Sequence, residues 1–126
     1  MRDYFPEEPF GCRCGCGLNA FDPAMRTILN EIRDELNVPL KINSGCRCPN
    51  KNAAVGGAFN SAHLQGPDFL CHAVDVQCYT GQFRGRLMEA FQRHGVRRFE
   101  VSEVHLHADN ATYLPVPALV SKRFLS

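Results

Sequence analysis

Histidine and aspartate recur in two short segments of the chain, and both residue types are common ligands of metal ions. The first segment is SAHLQGPDFLCHAVDVQ, residues 61–77, and the second is EVHLHAD, residues 103–109. Alternate side chains of a strand point to the same side, so the polar residues of the second segment would share one face. Ligand-type residues on two neighbouring strands can converge on one ion, and this pattern predicts a metal site.

A catalytic zinc ion needs three protein ligands, an open position for water and a carboxylate that accepts the proton of the water. His63, Asp75 and His107 offer suitable donor atoms. Glu103 is the candidate base, on the same strand face as His107. Three other side chains compete as ligands on the residues alone: Asp68, His72 and His105. The alternative is a surface strand with a solvated polar face and an apolar face against the core.

Cysteine is abundant, with seven residues in 126, at positions 12, 14, 16, 46, 48, 71 and 78. The N-terminus, MRDYFPEEPF, is acidic and lacks the apolar stretch of a signal peptide, so we expect synthesis in the cytoplasm. That compartment favours thiols or metal ligands over disulfides.

Cys12, Cys14 and Cys16 are candidates for a second, structural zinc site, with or without Cys46 or Cys48. Surface thiols and disulfides formed after release are the alternatives. Cys71 and Cys78 flank the predicted strand of Asp75, and we expect them to be packing residues.

Helix and strand signals predict one domain over residues 1–126, with an irregular, cysteine-rich segment over residues 1–20. Asp22 followed by Pro23 predicts the start of one helix, and Thr80 predicts the start of a second that ends at Gly95. One further helical turn is expected over residues 50–55. Strands are expected over residues 40–43, 73–77, 96–101, 103–108 and 118–125. This order indicates an α+β fold with a small antiparallel sheet and two main helices.

Composition narrows the classes of partner. The net charge is +1, with 44% hydrophobic and 21% charged residues, which is typical of a globular domain and gives no reason to expect nucleic-acid binding. No apolar run approaches the length of a membrane span. We expect a monomer.

The segment SGCRCPNKNAAVGGAFNSAHLQG, followed by HAVDV, resembles the M15 family of zinc peptidases. These are D-Ala-D-Ala carboxypeptidases and phage or bacterial peptidoglycan endopeptidases. Their pattern, SGYR-P--N-AVGG---S-H--G-A-D and then a strand with H-x-D, is matched by Ser44, Gly45, Arg47, Pro49, Asn52, Ala54, Val55, Gly56, Gly57, Ser61, His63, Gly66, Ala73, Asp75, His107 and Asp109. The resemblance covers about residues 5–110 and implies the small α+β fold that these peptidases share with the hedgehog signalling domain.

Carried over by position, the resemblance implies that His63, Asp75 and His107 bind zinc and that Arg47 and Ser61 hold the substrate. The implied activity is hydrolysis of a stem peptide or crossbridge of bacterial peptidoglycan, by an enzyme of endolysin or D,D-carboxypeptidase type. Such an enzyme acts on the cell wall, after phage-induced release where no signal peptide is present. The alternative is a non-catalytic zinc-fold binding module of a phage or cell-wall assembly.

The chain departs from the family pattern at two points of the zinc site. The step from His63 to Asp75 is twelve residues instead of seven, which keeps Asp68 in competition as the second ligand. Many members place an acidic residue three positions before the last zinc histidine, where this chain has Val104.

The neighbouring Glu103 is therefore expected to be the base, with Glu100 as an alternative through a bulge. His105 is expected to polarise the scissile carbonyl or to stabilise the oxyanion. Asp109 is expected to orient a zinc ligand.

Overall fold

Two helices begin at the capping residues that the sequence predicts. The computed structural model describes residues 2–115, and in it helix α1, Pro23–Leu36, begins at Asp22, whose carboxylate accepts a hydrogen bond of 3.1 Å from the Ala24 N–H. The chain continues through β1, Ile42–Ser44, α2, Pro49–Ala54, β2, Ala73–Gln77, α3, Gly81–Arg93, β3, Arg98–Val101, and β4, His105–Asp109. Thr80 caps α3 through its hydroxyl. Both predicted helix starts are confirmed.

The strands form one four-stranded sheet in the order β1-β2-β4-β3, and every neighbouring pair is antiparallel. The predicted α+β class, with a small antiparallel sheet and two main helices, is confirmed. The predicted hairpin is present as β3 and β4, but β4 begins at His105, two residues later than the sequence predicts. The edge strand predicted over residues 118–125 lies outside the described residues.

The hydrophobic core lies on one face of the sheet, beneath the two long helices. The alternation of β2 and β4 directs apolar residues to this face, and α1 and α3 supply the opposing side chains. The fully buried members from these four elements are Met25, Leu29, Ile32, Val74, Val76, Leu87, Ala90, Phe91, Leu106 and Ala108. Each large side chain contributes about 1.5–3 kcal/mol through burial, so this layer holds the sheet rigid. The opposite face is free to carry polar chemistry.

The irregular N-terminal segment packs directly against the loop that follows β1. The Cys46 N–H donates a hydrogen bond of 2.8 Å to the carbonyl of Phe10. Gly45 permits this approach, because an added Cβ would lie only 2.7 Å from the same carbonyl oxygen. A residue with any side chain at position 45 would therefore push the two segments apart.

A disulfide joins Cys46 to Cys71, with the two Cα atoms 5.3 Å apart. The expectation that Cys71 is only a packing residue, and that thiols are favoured throughout, is wrong for this pair. The two residues lie 25 positions apart in the sequence, and only the fold brings them together. Cys78 is an unpaired, buried cysteine beside α3, in agreement with its predicted packing role.

Candidate metal centre and active site

A row of polar side chains crosses the sheet on the face opposite the core. Asp75 on β2 is the register partner of His107 on β4, and His107 is in turn the partner of Glu100 on β3. Directly opposed residues of antiparallel strands point to the same face, so the three side chains lie side by side. The three strands are hydrogen-bonded neighbours in one sheet, so the backbone fixes the spacing of this row.

His63 joins the row from the loop before β2, and the predicted ligand set converges. The Nε2 atom of His63 and the Nδ1 atom of His107 lie 3.2 Å and 3.1 Å from the same Asp75 oxygen, Oδ1. One donor atom from each residue lies within 4.8 Å of the other two. All three residues are buried. Two nitrogen donors and one carboxylate oxygen form a set that suits a catalytic zinc ion.

The hydrogen bonds of the two histidines leave one ring nitrogen of each directed at the same point. The Nδ1 atom of His63 lies 2.7 Å from the carbonyl of Gly45, which can only accept, so Nδ1 carries the proton. In a neutral ring, Nε2 is then an acceptor that faces the Asp75 carboxylate. The two atoms, 3.2 Å apart, are bridged either by a second proton on the ring or by a metal ion.

His107 is oriented from its other side by Asp109. The Nε2 atom of His107 lies 2.8 Å from Oδ2 of Asp109, whose second oxygen accepts a hydrogen bond of 2.7 Å from Arg98 Nε. This chain of contacts fixes the ring and its tautomer, as carboxylates commonly do behind metal-binding histidines. The geometry agrees with the orienting role predicted for Asp109.

Burial and mutual charge determine the protonation of the metal-free cluster. Burial alone would raise the pKa of Asp75, but the charge and hydrogen bonds of His63 and His107 hold that pKa well below its usual range. Burial lowers the pKa of His63. Burial opposes protonation of His107 too, yet its hydrogen bonds with Asp109 and Asp75 raise its pKa to about 9. His107 therefore holds a proton that a bound metal ion would displace.

Arg47, the first predicted substrate residue, is buried behind the cluster. Its guanidinium is 3% exposed, donates to the Asn52 side chain at 3.2 Å and lies 3.4 Å from Oδ2 of Asp75. Gly57 leaves room for it, since an added Cβ would lie 2.9 Å from Arg47 Nη1. This arrangement orients the second oxygen of Asp75.

Ser61, the second predicted substrate residue, lines an open cavity of about 170 Å³ beside the cluster. Glu100, His107 and Arg98 line the same cavity. The Ser61 hydroxyl also accepts a hydrogen bond of 3.1 Å from the His63 N–H. Ser61 is therefore positioned both to shape the loop of His63 and to face a bound molecule.

Glu103 does not share the strand face of His107, and this expectation from the sequence is wrong. The chain bends between β3 and β4, so Glu103 is exposed, and its backbone carbonyl accepts a hydrogen bond from Arg84. Glu100 takes the expected place through regular strand pairing, without a bulge. Glu100 could have been found from the number of residues that separate it from His107 in the sequence. That separation lets the two residues face each other across a short hairpin.

His105 lies on β4, two residues before His107 and on the same face. Its Nε2 atom is 3.9 Å from Oδ1 of Asp75, farther than the nitrogens of His63 and His107. Burial lowers its pKa, so His105 is neutral at pH 7. A neutral imidazole beside the cluster can donate one N–H.

Asp68 and His72, the other competitors, lie together in a separate cluster. The Nε2 atom of His72 is 2.7 Å from Asp68, and its Nδ1 atom is 2.8 Å from the Asn110 side-chain oxygen. Asp22 lies 3.2 Å from the same Nδ1 atom. Both ring nitrogens are thus engaged, and Asp75 is the carboxylate that meets His63 and His107.

The cysteines at the N-terminus also converge, and they include a residue that the sequence left open. The sulfur atoms of Cys12, Cys14, Cys16 and Cys48 lie within 4.8 Å of one another. Cys48 precedes α2, next to Arg47, while Cys46 is in the disulfide. Burial opposes ionisation of Cys12, but hydrogen bonds from the Cys14 and Cys48 backbone lower its pKa to about 6.

Comparison with protein families identifies the relatives of this arrangement. A family model described as Peptidase M15 matches residues 3–109, which include every residue of the polar row and of the cysteine cluster. The chain belongs to the peptidase M15 family. This match confirms the resemblance seen in the sequence. Members of the family are zinc metallopeptidases. A search of curated proteins found no match.

The M15 chain has no helix within residues 2–115 that is long and apolar enough to cross a membrane.

Proposed function

We propose that this M15 chain is a zinc-dependent peptidase that hydrolyses peptide bonds in the stem peptides or crossbridges of bacterial peptidoglycan. The observation that carries the proposal is the row of Asp75, His107 and Glu100 beside an open cavity, with His63 directed at the same point. A ligand set, an acid–base residue and a place for substrate thus occur together. Membership of the M15 family supports the reaction class. The resemblance of the sequence motifs to those of M15 endolysins and D,D-carboxypeptidases supports the substrate.

Zinc would be held by His63, Asp75 and His107. Their two nitrogens and one oxygen suit this ion, and the Nε2 atom of His63 and the Oδ1 atom of Asp75 lie close enough to share it. Bound zinc supplies Lewis acidity, which polarises a scissile carbonyl and makes water acidic enough to attack near neutral pH.

Glu100 is the proposed general base. Its position opposite His107, in the lining of the cavity, lets the carboxylate accept the proton of the attacking water and pass it to the leaving amine. The exposed bend that holds Glu103 makes that residue a poorer candidate. His105, neutral and beside the cluster, is proposed to donate a hydrogen bond to the developing oxyanion.

Substrate would be bound in the cavity by Ser61 and positioned indirectly by Arg47. Ser61 lines the cavity, whereas the Arg47 guanidinium is buried against Asp75 and Asn52. We therefore assign Arg47 mainly to the orientation of Asp75, and a direct contact with a substrate carboxylate is its second proposed role. Arg98 also lines the cavity, where its guanidinium is held by Asp109.

The proposed place of action is the cell wall, reached after phage-induced release, and the proposed unit is a monomeric single domain.

Digestion of purified peptidoglycan tests the function. The full chain, loaded with zinc, is incubated with peptidoglycan of defined crossbridge type, and soluble products are identified by mass spectrometry and by the new amino termini. Released D-alanine would indicate a carboxypeptidase, and released peptides would indicate an endopeptidase. Wild-type protein that binds peptidoglycan but releases nothing, while His63→Ala behaves the same, would contradict the peptidase and favour the non-catalytic binding module.

A further inference from the structure

Four cysteine sulfurs come together outside the sheet, and Cys14 and Cys16 are exposed. The Sγ atoms of Cys12 and Cys14 are 3.4 Å apart, and those of Cys14 and Cys48 are 3.6 Å apart. Cys16 lies within the same 4.8 Å group. Tetrahedral zinc with Zn–S bonds of about 2.3 Å places its sulfur ligands about 3.8 Å apart. The two distances measured from Cys14 are close to the sulfur–sulfur distance of a filled four-cysteine site.

The spacing does not single out a disulfide within this group. A disulfide needs sulfurs about 2.05 Å apart, and Cys14 is nearly equidistant from Cys12 and Cys48. The bonded pair of the described residues is Cys46 with Cys71, and the cysteines of the cluster are free. We propose that Cys12, Cys14, Cys16 and Cys48 bind a second zinc ion, which fastens the N-terminal segment to the loop that carries Arg47.

Backbone geometry around the cysteines supports a metal-bound state. The Cys48 N–H donates to the sulfur of Cys12 and the Lys51 N–H to the sulfur of Cys48, both at 3.4 Å. Such N–H contacts stabilise thiolate ligands from outside the coordination sphere. Gly15, at φ 83°, takes the left-handed conformation that lets the chain turn back, and its N–H bonds the Cys12 carbonyl. In an extended chain Cys12 and Cys14 would lie roughly 7 Å apart, so this turn brings their thiols together.

The second ion has a structural consequence because Cys48 directly follows Arg47. The loop is fastened on one side of Arg47 by the disulfide of Cys46 and on the other by Cys48 in the cluster. Between them the Arg47 N–H donates to the His63 carbonyl at 2.9 Å, and the guanidinium contacts Asp75. The ion would therefore hold Arg47 against the proposed catalytic ligand. The metal site stands independently of the proposed peptidase, and only this effect on Arg47 rests on it.

Cobalt substitution tests the second site separately from the first. The full, folded chain carrying His107→Ala, in which the histidine site is broken, is stripped of metal with a chelator and loaded with Co²⁺ without oxygen, so that the buried Cys46–Cys71 disulfide stays intact. We expect about one cobalt ion per chain and a near-ultraviolet thiolate-to-cobalt charge-transfer band of the strength of four sulfur ligands. Cys16→Ser should weaken this band and lower cobalt affinity, whereas Cys78→Ser, outside the cluster, should leave it unchanged.

Wild-type protein provides the readout that does not depend on any variant folding. Elemental analysis should find zinc in the wild-type protein. The four cluster thiols should resist alkylation until a chelator removes the metal. Absence of the charge-transfer band, iron in place of zinc, or a disulfide between any two of the four cysteines would overturn the proposal. If His107→Ala gives the band but wild-type protein has no peptidase activity, the proposed function alone is overturned. If wild-type protein is active but His107→Ala gives no band, only the second site is overturned.

Discussion

The two clusters of metal-binding type differ in how the chain holds them. His63, Asp75 and His107 are buried, and two of them sit on paired central strands over a hydrophobic core. The four cysteines come from the irregular N-terminal segment and the start of the short α2, and Cys14 and Cys16 are exposed. One cluster is fixed by the sheet, while the other holds together segments that have little regular structure of their own.

The donor atoms differ in the same direction. Two nitrogens and one oxygen leave a coordination position for water and face an open cavity, as a catalytic site requires. Four sulfurs complete the coordination of zinc and leave no position for substrate. Under the two proposals, the rigid sheet carries an incomplete, reactive metal site, whereas the loops are stabilised by a complete one. The first three predictions below change one of the two sites and follow the effect on the other, and the fourth changes neither.

Loss of a ligand from the histidine cluster should have the largest effect. His107→Ala and Asp75→Ala remove a donor atom and leave its buried partners unpaired, so zinc at this cluster and peptidoglycan hydrolysis should both be lost. The expected fall in kcat/KM is roughly 10³-fold or more. Product release and bound zinc are measured on the same samples. Retention of activity in either variant would remove the cluster from the mechanism, and loss of the cysteine-bound metal as well would show that the two sites are not separate.

Glu100→Gln should lose activity while both metal ions stay bound. The amide keeps the shape of the side chain but cannot accept the proton, so kcat should fall by roughly 10²–10⁴-fold. Glu103→Gln is the matched control, because it makes the same change three residues away in an exposed bend. Steady-state kinetics with a defined peptidoglycan fragment measure both. The reverse ranking of the two variants would assign the base to Glu103.

Cys14→Ser should remove the second ion and leave the histidine cluster loaded. Without the ion, the loop of Arg47 is anchored only by the disulfide of Cys46. The free energy of unfolding should therefore fall by more than the ~1 kcal/mol of a typical substitution, and the melting temperature should fall with it. KM should rise a few-fold while kcat changes less. Thermal unfolding and kinetics measure these effects, with Cys78→Ser as control. An unchanged melting temperature with the ion absent would mean that the second site does not stabilise the fold.

The smallest effect is expected at His72, a histidine among carboxylates that belongs to neither metal cluster. Burial opposes its protonation, but hydrogen bonds with Asn110 and Asp68 and the charge of Asp22 raise its pKa. The stabilisation is therefore fully present below the unfolded pKa of about 6.5 and is lost as pH rises through the folded value. Wild type should exceed Asp68→Asn in melting temperature at pH 5.5, and the gap should close by pH 9. A gap that widens with pH would show that His72 is not protonated in the folded state.

Local sequence signals predicted the frame that holds the histidine cluster. Asp22 with Pro23 and Thr80 set the helix starts, and the alternation of residues 73–77 placed Asp75 on the face opposite the core. These features depend on neighbours within one turn or one strand, so they can be read without knowledge of the fold. The resemblance to M15 peptidases then selected Asp75 over Asp68, as the contacts with both histidines support.

The remaining features depend on contacts between distant parts of the chain. Glu100 faces His107 because the chain bends after β3, and alternation continued back from His107 to Glu103 does not capture that bend. The pairing of Cys46 with Cys71, and the choice of Cys48 as the fourth cluster cysteine, follow from the packing of the N-terminal segment against Gly45. Sequence spacing alone could not show whether Cys46 or Cys48 joins the cluster, since the two cysteines lie only two residues from each other in the same loop.

The central claim, that one chain carries a catalytic and a structural zinc site, is tested most directly by the zinc content of three proteins measured in parallel. Wild type should contain about two zinc ions per chain, and His107→Ala and Cys14→Ser about one each. The zinc left in His107→Ala should be protected from chelators by the cysteines. Equal zinc content in wild type and His107→Ala would contradict the account, because the polar row would then bind no zinc.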